Sequence, residues 1–322
     1  MALAALALIP LALASGVAPV DWIAVDAGAC SGTDVDFSDA RHGFATCAFG
    51  DAMTTDDGGL SWSVFPTGLQ QSLLFAHAQS STDLYAARLG FYRSSDAGAN
   101  WEEIGGLSGN GGSVFDVHFG DAGHLVAIQG GVLRYSDDQG ASWEVGYPGK
   151  FGVFFDELHF PSPLVGYASG GNTTELGSVG NVLRTDDGGV GWTLLSFPHG
   201  EITAADFDGD DHGVVATLQA ALYETSDGGA NWQPLAALPD EAILLDLAMR
   251  DATHWIGVSI QGCLYETRDA GQAWTTGYCD PGGRALAALT LDGAAAVAVG
   301  NDGLALYEKR IFRDGFDAAG VR

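Results

Sequence analysis

Carboxylates and imidazoles recur along several short apolar stretches of this chain. Asp34 and Asp36 flank Val35, Asp116 and His118 flank Val117, and Glu157 and His159 flank Leu158. Asp206 follows Ala205, and Asp246 precedes Leu247. In an extended strand alternate side chains share a side, so the apolar residues mark a packed surface and the eight ionisable residues the opposite one. Carboxylates gathered on that side would raise one another's pKa unless a cation sat among them. Such a group could hold a cation or a basic peptide segment. Two carboxylates at a fixed separation could instead cleave a glycosidic bond.

A second candidate is the run from Asp206 to Asp211, which opens with the Asp-x-Asp-Gly-Asp spacing of a calcium loop and offers Asp208, Asp210 and Asp211 as metal ligands. The later bidentate glutamate of an EF-hand is missing. Phe207 to His212 aligns with Phe37 to His42, Phe119 to His124 and Met249 to His254, all turns between a first and a second strand. The expectation is therefore a repeated turn, with calcium as the metal it would suit and no cofactor required.

The elements that must position these residues announce themselves by repetition. The pattern Ser/Thr-x-Asp-x-Gly-x-x-Trp occurs six times, with its aspartate at Asp57, Asp96, Asp138, Asp187, Asp227 and Asp269. In a tight hairpin the carboxylate accepts hydrogen bonds from turn N–H groups, glycine takes positive φ, and tryptophan packs on the returning strand. These six aspartates are assigned to structure, and each box tryptophan is expected in the core. Successive box tryptophans lie 39, 42, 49, 40 and 42 residues apart. Periods near 40 with short alternating strands mean a β-propeller of four-stranded blades. Six boxes define six blades. A seventh is expected from Ala285–Leu291, Ala294–Gly300 and Leu304–Lys309, its outer strand supplied by Asp21–Val25 with Trp22 in place of a box tryptophan. The fold class is thus all-β, a seven-bladed propeller with box hairpins, its ring closed by an N-terminal strand that completes the last blade. The 49-residue step holds an insertion in blade four. Asn172, Thr173, Thr174 and Glu175 within it are assigned to a partner-binding rim shared with the blade-connecting loops.

With 13 Lys and Arg against 41 Asp and Glu, the net charge is −28. Such a field repels nucleic acid and anionic membrane surfaces and favours basic partners. Residues 1–14 form an apolar run ending in a small-x-small site, read as a signal peptide rather than a membrane span. The propeller is assigned to residues 15–310 and a short tail to 311–322, with no membrane span once the signal is removed. Four cysteines suit an oxidising compartment. Cys263 and Cys279 bracket the last box, and Cys30 and Cys47 flank the first inner strand, so two local disulfides are expected.

The boxes resemble the Asp-box, or BNR, repeats of sialidases and other glycosidases. The fuller pattern from Gly180 to Trp192 is more similar to the photosystem II stability/assembly factor-like propellers. That resemblance implies a seven-bladed propeller, secreted or periplasmic, acting as a non-catalytic binding or assembly scaffold. The assembly factors present an arginine-rich patch. Here Arg93 and Arg184 hold the position just before the box, but Glu224 and Glu266 occupy it in blades five and six. The sialidase relation is more distant, since the Arg-Ile-Pro motif that opens such domains is absent. The reading is a monomeric exported scaffold that recognises a protein through its loop rim. The alternative from a different class is a glycan-binding or glycoside-hydrolysing propeller, with Tyr147, Phe151 and Tyr278 available as aromatic subsites.

Overall fold

The computed structural model describes residues 21–107, 112–174, 177–292 and 295–309. They form seven four-stranded antiparallel sheets arranged as the blades of a propeller. The innermost strands of blades one to seven are Gly32–Phe37, Phe75–Ala78, Val114–Phe119, Val153–His159, Ile202–Asp206, Leu244–Met249 and Leu286–Asp292. In the last blade the N-terminal strand Asp21–Asp26 pairs with Leu304–Lys309 from the other end of the chain, so the ring has no open edge there. The signal peptide and tail assigned from sequence lie outside the described residues.

The second strand of each blade is the most deeply sunk. Gly43–Cys47, Leu125–Gln129, Gly213–Thr217 and Trp255–Ser259 are buried along their whole length, as near-continuous apolar runs require when both faces are covered. The fourth strands lie outside and are mostly exposed. The core is divided into apolar clusters, one per blade-to-blade seam. Phe44, Leu73, Ala76 and Leu84 fill the seam of blades one and two, while Val214, Leu244, Trp255 and Trp274 fill that of five and six.

The box tryptophans depart from expectation. Trp274 is buried, but Trp62, Trp101, Trp143, Trp192 and Trp232 are half-buried. Each sits at the start of an outermost strand, so one face of the ring packs on the seam and an edge stays wet. The fully buried tryptophan is Trp255, on a second strand. The disulfides form as Cys30–Cys47 and Cys263–Cys279, which is consistent with an oxidising compartment. Among the described residues no helix is long and apolar enough to cross a membrane.

Up-and-down connection within a blade fixes two faces. Turns between second and third strands share one face with the crossings from blade to blade; we call this the upper face. Turns between first and second strands share the lower face with the boxes.

Candidate partner-binding face

The eight ionisable residues of the innermost strands do come together around the central channel, but their carboxylates are not free. Asp34 accepts the N–H of Val35 at 2.8 Å and, across the seam, that of Ala76 in blade two at 2.7 Å. Asp36 repeats the arrangement one step lower, with Phe37 at 2.8 Å and Ala78 at 3.0 Å. Asp116 bridges Val117 and Leu158, Asp206 bridges Phe207 and Met249, and Asp246 bridges Leu247 and Leu289. Glu157 reaches Ala205 at 3.0 Å. Each acid therefore ties its own strand to the innermost strand of the next blade, satisfying backbone N–H groups that no sheet ladder reaches.

These clasps span five of the seven seams. Between blades two and three the equivalent positions are Phe75 and His77, and His77 stacks on Phe119 with ring centres 4.0 Å apart. Between blades seven and one the positions are Ala288 and Thr290, where the chain itself crosses and backbone bonds such as Gly303 to Cys30 close the seam.

Burial dominates the electrostatics. It pushes Asp34 up to about 7 and Asp116 up to about 6, and raises Asp246, even though each accepts two N–H bonds. His159 goes the other way from most buried imidazoles. Against the burial penalty, contacts with Asp206 at 3.4 Å and Glu157 at 3.6 Å push it up to about 10. The positive charge that clustered carboxylates call for is thus supplied by the protein. His118 is stacked on Phe160 and is lowered to about 4, chiefly by burial.

Above the clasps the innermost strands bulge. The ladder slips by a residue at Thr33, Phe115, Asp156, Thr203, Leu245 and Ala287, in every blade except the second. A bulge lets two consecutive residues point the same way. These residues line a cavity of about 470 Å³ at the upper mouth of the channel. Blades two, three, six and seven contribute Leu74, Phe115, Leu245 and Ala287, whereas blades four and five contribute Asp156 and Glu201. Burial, then the charges of Glu157 and Glu201, push the Asp156 carboxyl up to about 7. Unlike the clasps, Asp156 accepts no hydrogen bond among the described residues. Asp156 and Glu201 escaped the sequence reading. The signal was the adjacent pair Asp156–Glu157, which strict alternation forbids on one side and a bulge allows.

The expected rim is built differently from a loop. Asn172, Thr173 and Thr174 extend a strand, Gly166–Thr174, that pairs with Gly177–Thr185 as a long hairpin on the upper face. Glu175 lies outside the described residues. On the lower face the acidic run does not converge: Asp208 engages His212, while Asp211 pairs with Arg184 at 3.2 Å. The Asp210 carbonyl accepts the Tyr167 hydroxyl at 2.6 Å. Among the described residues no group of three or more His, Cys, Asp or Glu is placed to hold a metal. Arg93 is likewise committed, to Asp83 at 2.7 Å.

The boxes close as expected from their residue types. In the first, Thr55 donates to Asp57 at 2.8 Å, the Ser61 N–H donates to Asp57 at 2.9 Å, and Thr55 Oγ1 accepts the Gly59 N–H at 3.0 Å. Such bonds hold all six box carboxyls below their ordinary value, outweighing burial where it is felt, at Asp57 and Asp187.

Fold and face define the class: a seven-bladed β-propeller with an acid-clasped channel. No family model matches the chain. The uncharacterized protein YkuO of Bacillus subtilis (strain 168) is 27% identical over 140 residues, which is 42% of this chain and 43% of that protein. Among solved structures, YCF48 bound to D1 peptide is similar with a TM-score of 0.69 at 20% identity, over 89% of this chain and 96% of that one. YCF48 from Cyanidioschyzon merolae gives 0.69 at 17% identity, over 89% and 98%. The WD40 propeller of Doa1 gives 0.71 at 8%, over 89% and 96%. These likenesses are likenesses of fold.

Proposed function

We propose that this propeller is an exported, non-catalytic scaffold that holds a polypeptide partner on its upper face. The observation that carries the reading is the division of labour in the channel. The inner carboxylates are spent on joining blades, and the groups left open to a visitor, Asp156 and Glu201, lie at the mouth beside apolar Leu74, Phe115 and Leu245. A glycosidase needs one carboxyl to give a proton and a second to act as base or nucleophile. Acids committed to backbone N–H groups suit neither task, which leaves Asp156 and Glu201 as the pair that the glycan-acting alternative would need. A propeller of similar fold, YCF48, is known with a D1 peptide bound, which supports a peptide as the ligand class here. The two disulfides are consistent with export, as is the apolar composition of residues 1–14.

The test is to pan the oxidised full chain against a random dodecapeptide phage library and, in parallel, to screen thermal shift against a glycan array. Enriched peptides that protect upper-face amides from hydrogen exchange, with no glycan shift, are the expected outcome. A stabilising glycan with no enriched peptide would replace this reading with the glycan-binding one.

A further inference from the structure

Large apolar side chains are exposed on the upper face in a way that the fold does not require. Phe49, Leu89, Leu218 and Ile260 occupy the turns between second and third strands of blades one, two, five and six, with exposures of 87, 59, 43 and 49%. Phe151, on the crossing from blade three to blade four, is fully exposed. The lower face shows only Leu164 and Val190 of this kind among the described residues. Phe49 also sits at φ 75°, a left-handed conformation that a bulky side chain adopts at a cost. Strained, wet phenylalanine at a turn tip is poor design for stability, and asparagine would suit that backbone better. Apolar surface concentrated on one face marks an interaction site.

What these tips surround decides the occupant. The mouth between them carries Asp156 and Glu201, with no Arg or Lys among its lining residues and with His159 already engaged by Asp206 and Glu157, in a chain of net charge −28. Complementarity of charge selects partners and sets register. Resting on the scaffold reading above, we infer that the partner segment is basic and apolar together: a Lys or Arg whose side chain enters the mouth toward Asp156 and Glu201, flanked by aliphatic or aromatic residues that cover Phe49, Leu89 and Phe151. The long aliphatic stem of lysine or arginine suits the mixed wall, since Leu74, Phe115 and Leu245 would line the stem while the head meets the carboxylates.

Fluorescence anisotropy with three labelled heptapeptides tests this on the full oxidised chain. One carries a central lysine between Leu-Phe pairs, the second has glutamate for lysine, and the third keeps lysine but has serine for every Leu and Phe. The first is expected to bind at least about tenfold more tightly than either other, with an affinity that falls as salt rises. The double variant Asp156→Asn/Glu201→Gln should lose about tenfold for the first peptide and erase the lysine–glutamate difference. Phe49→Asn/Phe151→Asn should lose a similar factor while keeping that difference. All four sites are exposed or at the mouth, and an unchanged melting curve checks that the variants fold. Equal binding of the three peptides, or variants that bind as the parent does, overturns the inference. Phage-selected peptides without a basic residue would overturn it too and leave the scaffold reading standing. A library that yields no binder sinks both. Sedimentation with phosphatidylcholine vesicles that Phe49→Asn/Phe151→Asn abolishes would assign the tips to lipid and overturn the peptide proposal.

Discussion

Six acids in the boxes and six on the innermost strands do the same elementary thing: each accepts backbone N–H groups. They differ in reach and in surroundings. A box aspartate serves residues within four positions of itself, as Asp57 serves Ser61, and stands near water. A channel acid serves a strand 42 to 48 residues away and stands inside the ring, as Asp34 serves Ala76 and Glu157 serves Ala205. The pKa directions follow: box carboxyls are lowered, and Asp34, Asp116 and Asp246 are raised. The same hydrogen bonds that favour the charged form win at the surface and lose to desolvation in the channel. One ring shapes blades and the other joins them.

The largest expected consequence is a pH profile. Asp34, Asp116 and Asp156, raised to about 7, 6 and 7 from 3.8, bind protons more tightly in the folded ring than in the unfolded chain. Between about pH 4 and 7 the folded state therefore holds more protons, and stability falls as pH rises. Asp246 acts in the same direction. His159 extends the fall, since its contribution is complete below 6.5 and is lost toward 10. His118, lowered to about 4, opposes it between about 4 and 6.5. The box acids contribute stability that is lost only as pH drops below their ordinary 3.8. Thermal unfolding across pH 3 to 9 should give a maximum Tm near pH 4 to 5 and a steady decline above it. A maximum at pH 7 or higher would break the contrast between the rings.

A single clasp comes next. Asp116→Ala leaves the N–H groups of Val117 and Leu158 without an acceptor, at a cost of about 2–4 kcal/mol. Because the Asp116 carboxyl is raised, its contribution shrinks as it ionises, so urea unfolding should show a larger penalty at pH 5 than at pH 8. A penalty that grows with pH would mean the charged form is the stabilising one.

How much of this was legible in the sequence follows from the same difference in reach. The boxes were legible because Thr55, Asp57, Gly59 and Trp62 constrain one another within eight residues, and the blade count and closing strand follow from repeating them. The clasps were not, because nothing around Asp34 names Ala76 as its partner; alternation placed the acids at the channel but left them looking free. The bulges that expose Asp156 were hidden for a similar reason, since they become visible only against the paired strand. Asn172 to Thr174 were assigned to a loop rim because the 49-residue step marks an insertion, and glycines surround them. Those glycines belong to paired strands, and a Cβ on Gly170 would lie 2.4 Å from the Phe154 carbonyl oxygen. Close approach, not a turn, is what glycine serves there.

The smallest effect belongs to the box, and its locality is the sharpest test of the comparison. Asp57→Ala removes acceptors for the Ser61 N–H, the Ser61 hydroxyl and the Thr55 hydroxyl. Thr55 Oγ1 still accepts the Gly59 N–H, and the freed Ser61 groups sit at an exposed hairpin where water can replace the carboxylate. The cost should be about 1 kcal/mol, as for a lost helix cap. Hydrogen exchange should quicken at Ser61 and leave the amides of Ala76 and Ala78 unchanged, because those are held by Asp34 and Asp36 through the channel. Asp36→Ala should do the reverse, freeing Ala78 while Ser61 stays protected. If Asp57→Ala loosens Ala78 as much as Asp36→Ala does, the blades are not independent units joined by their channel acids, and the two rings form one cooperative network.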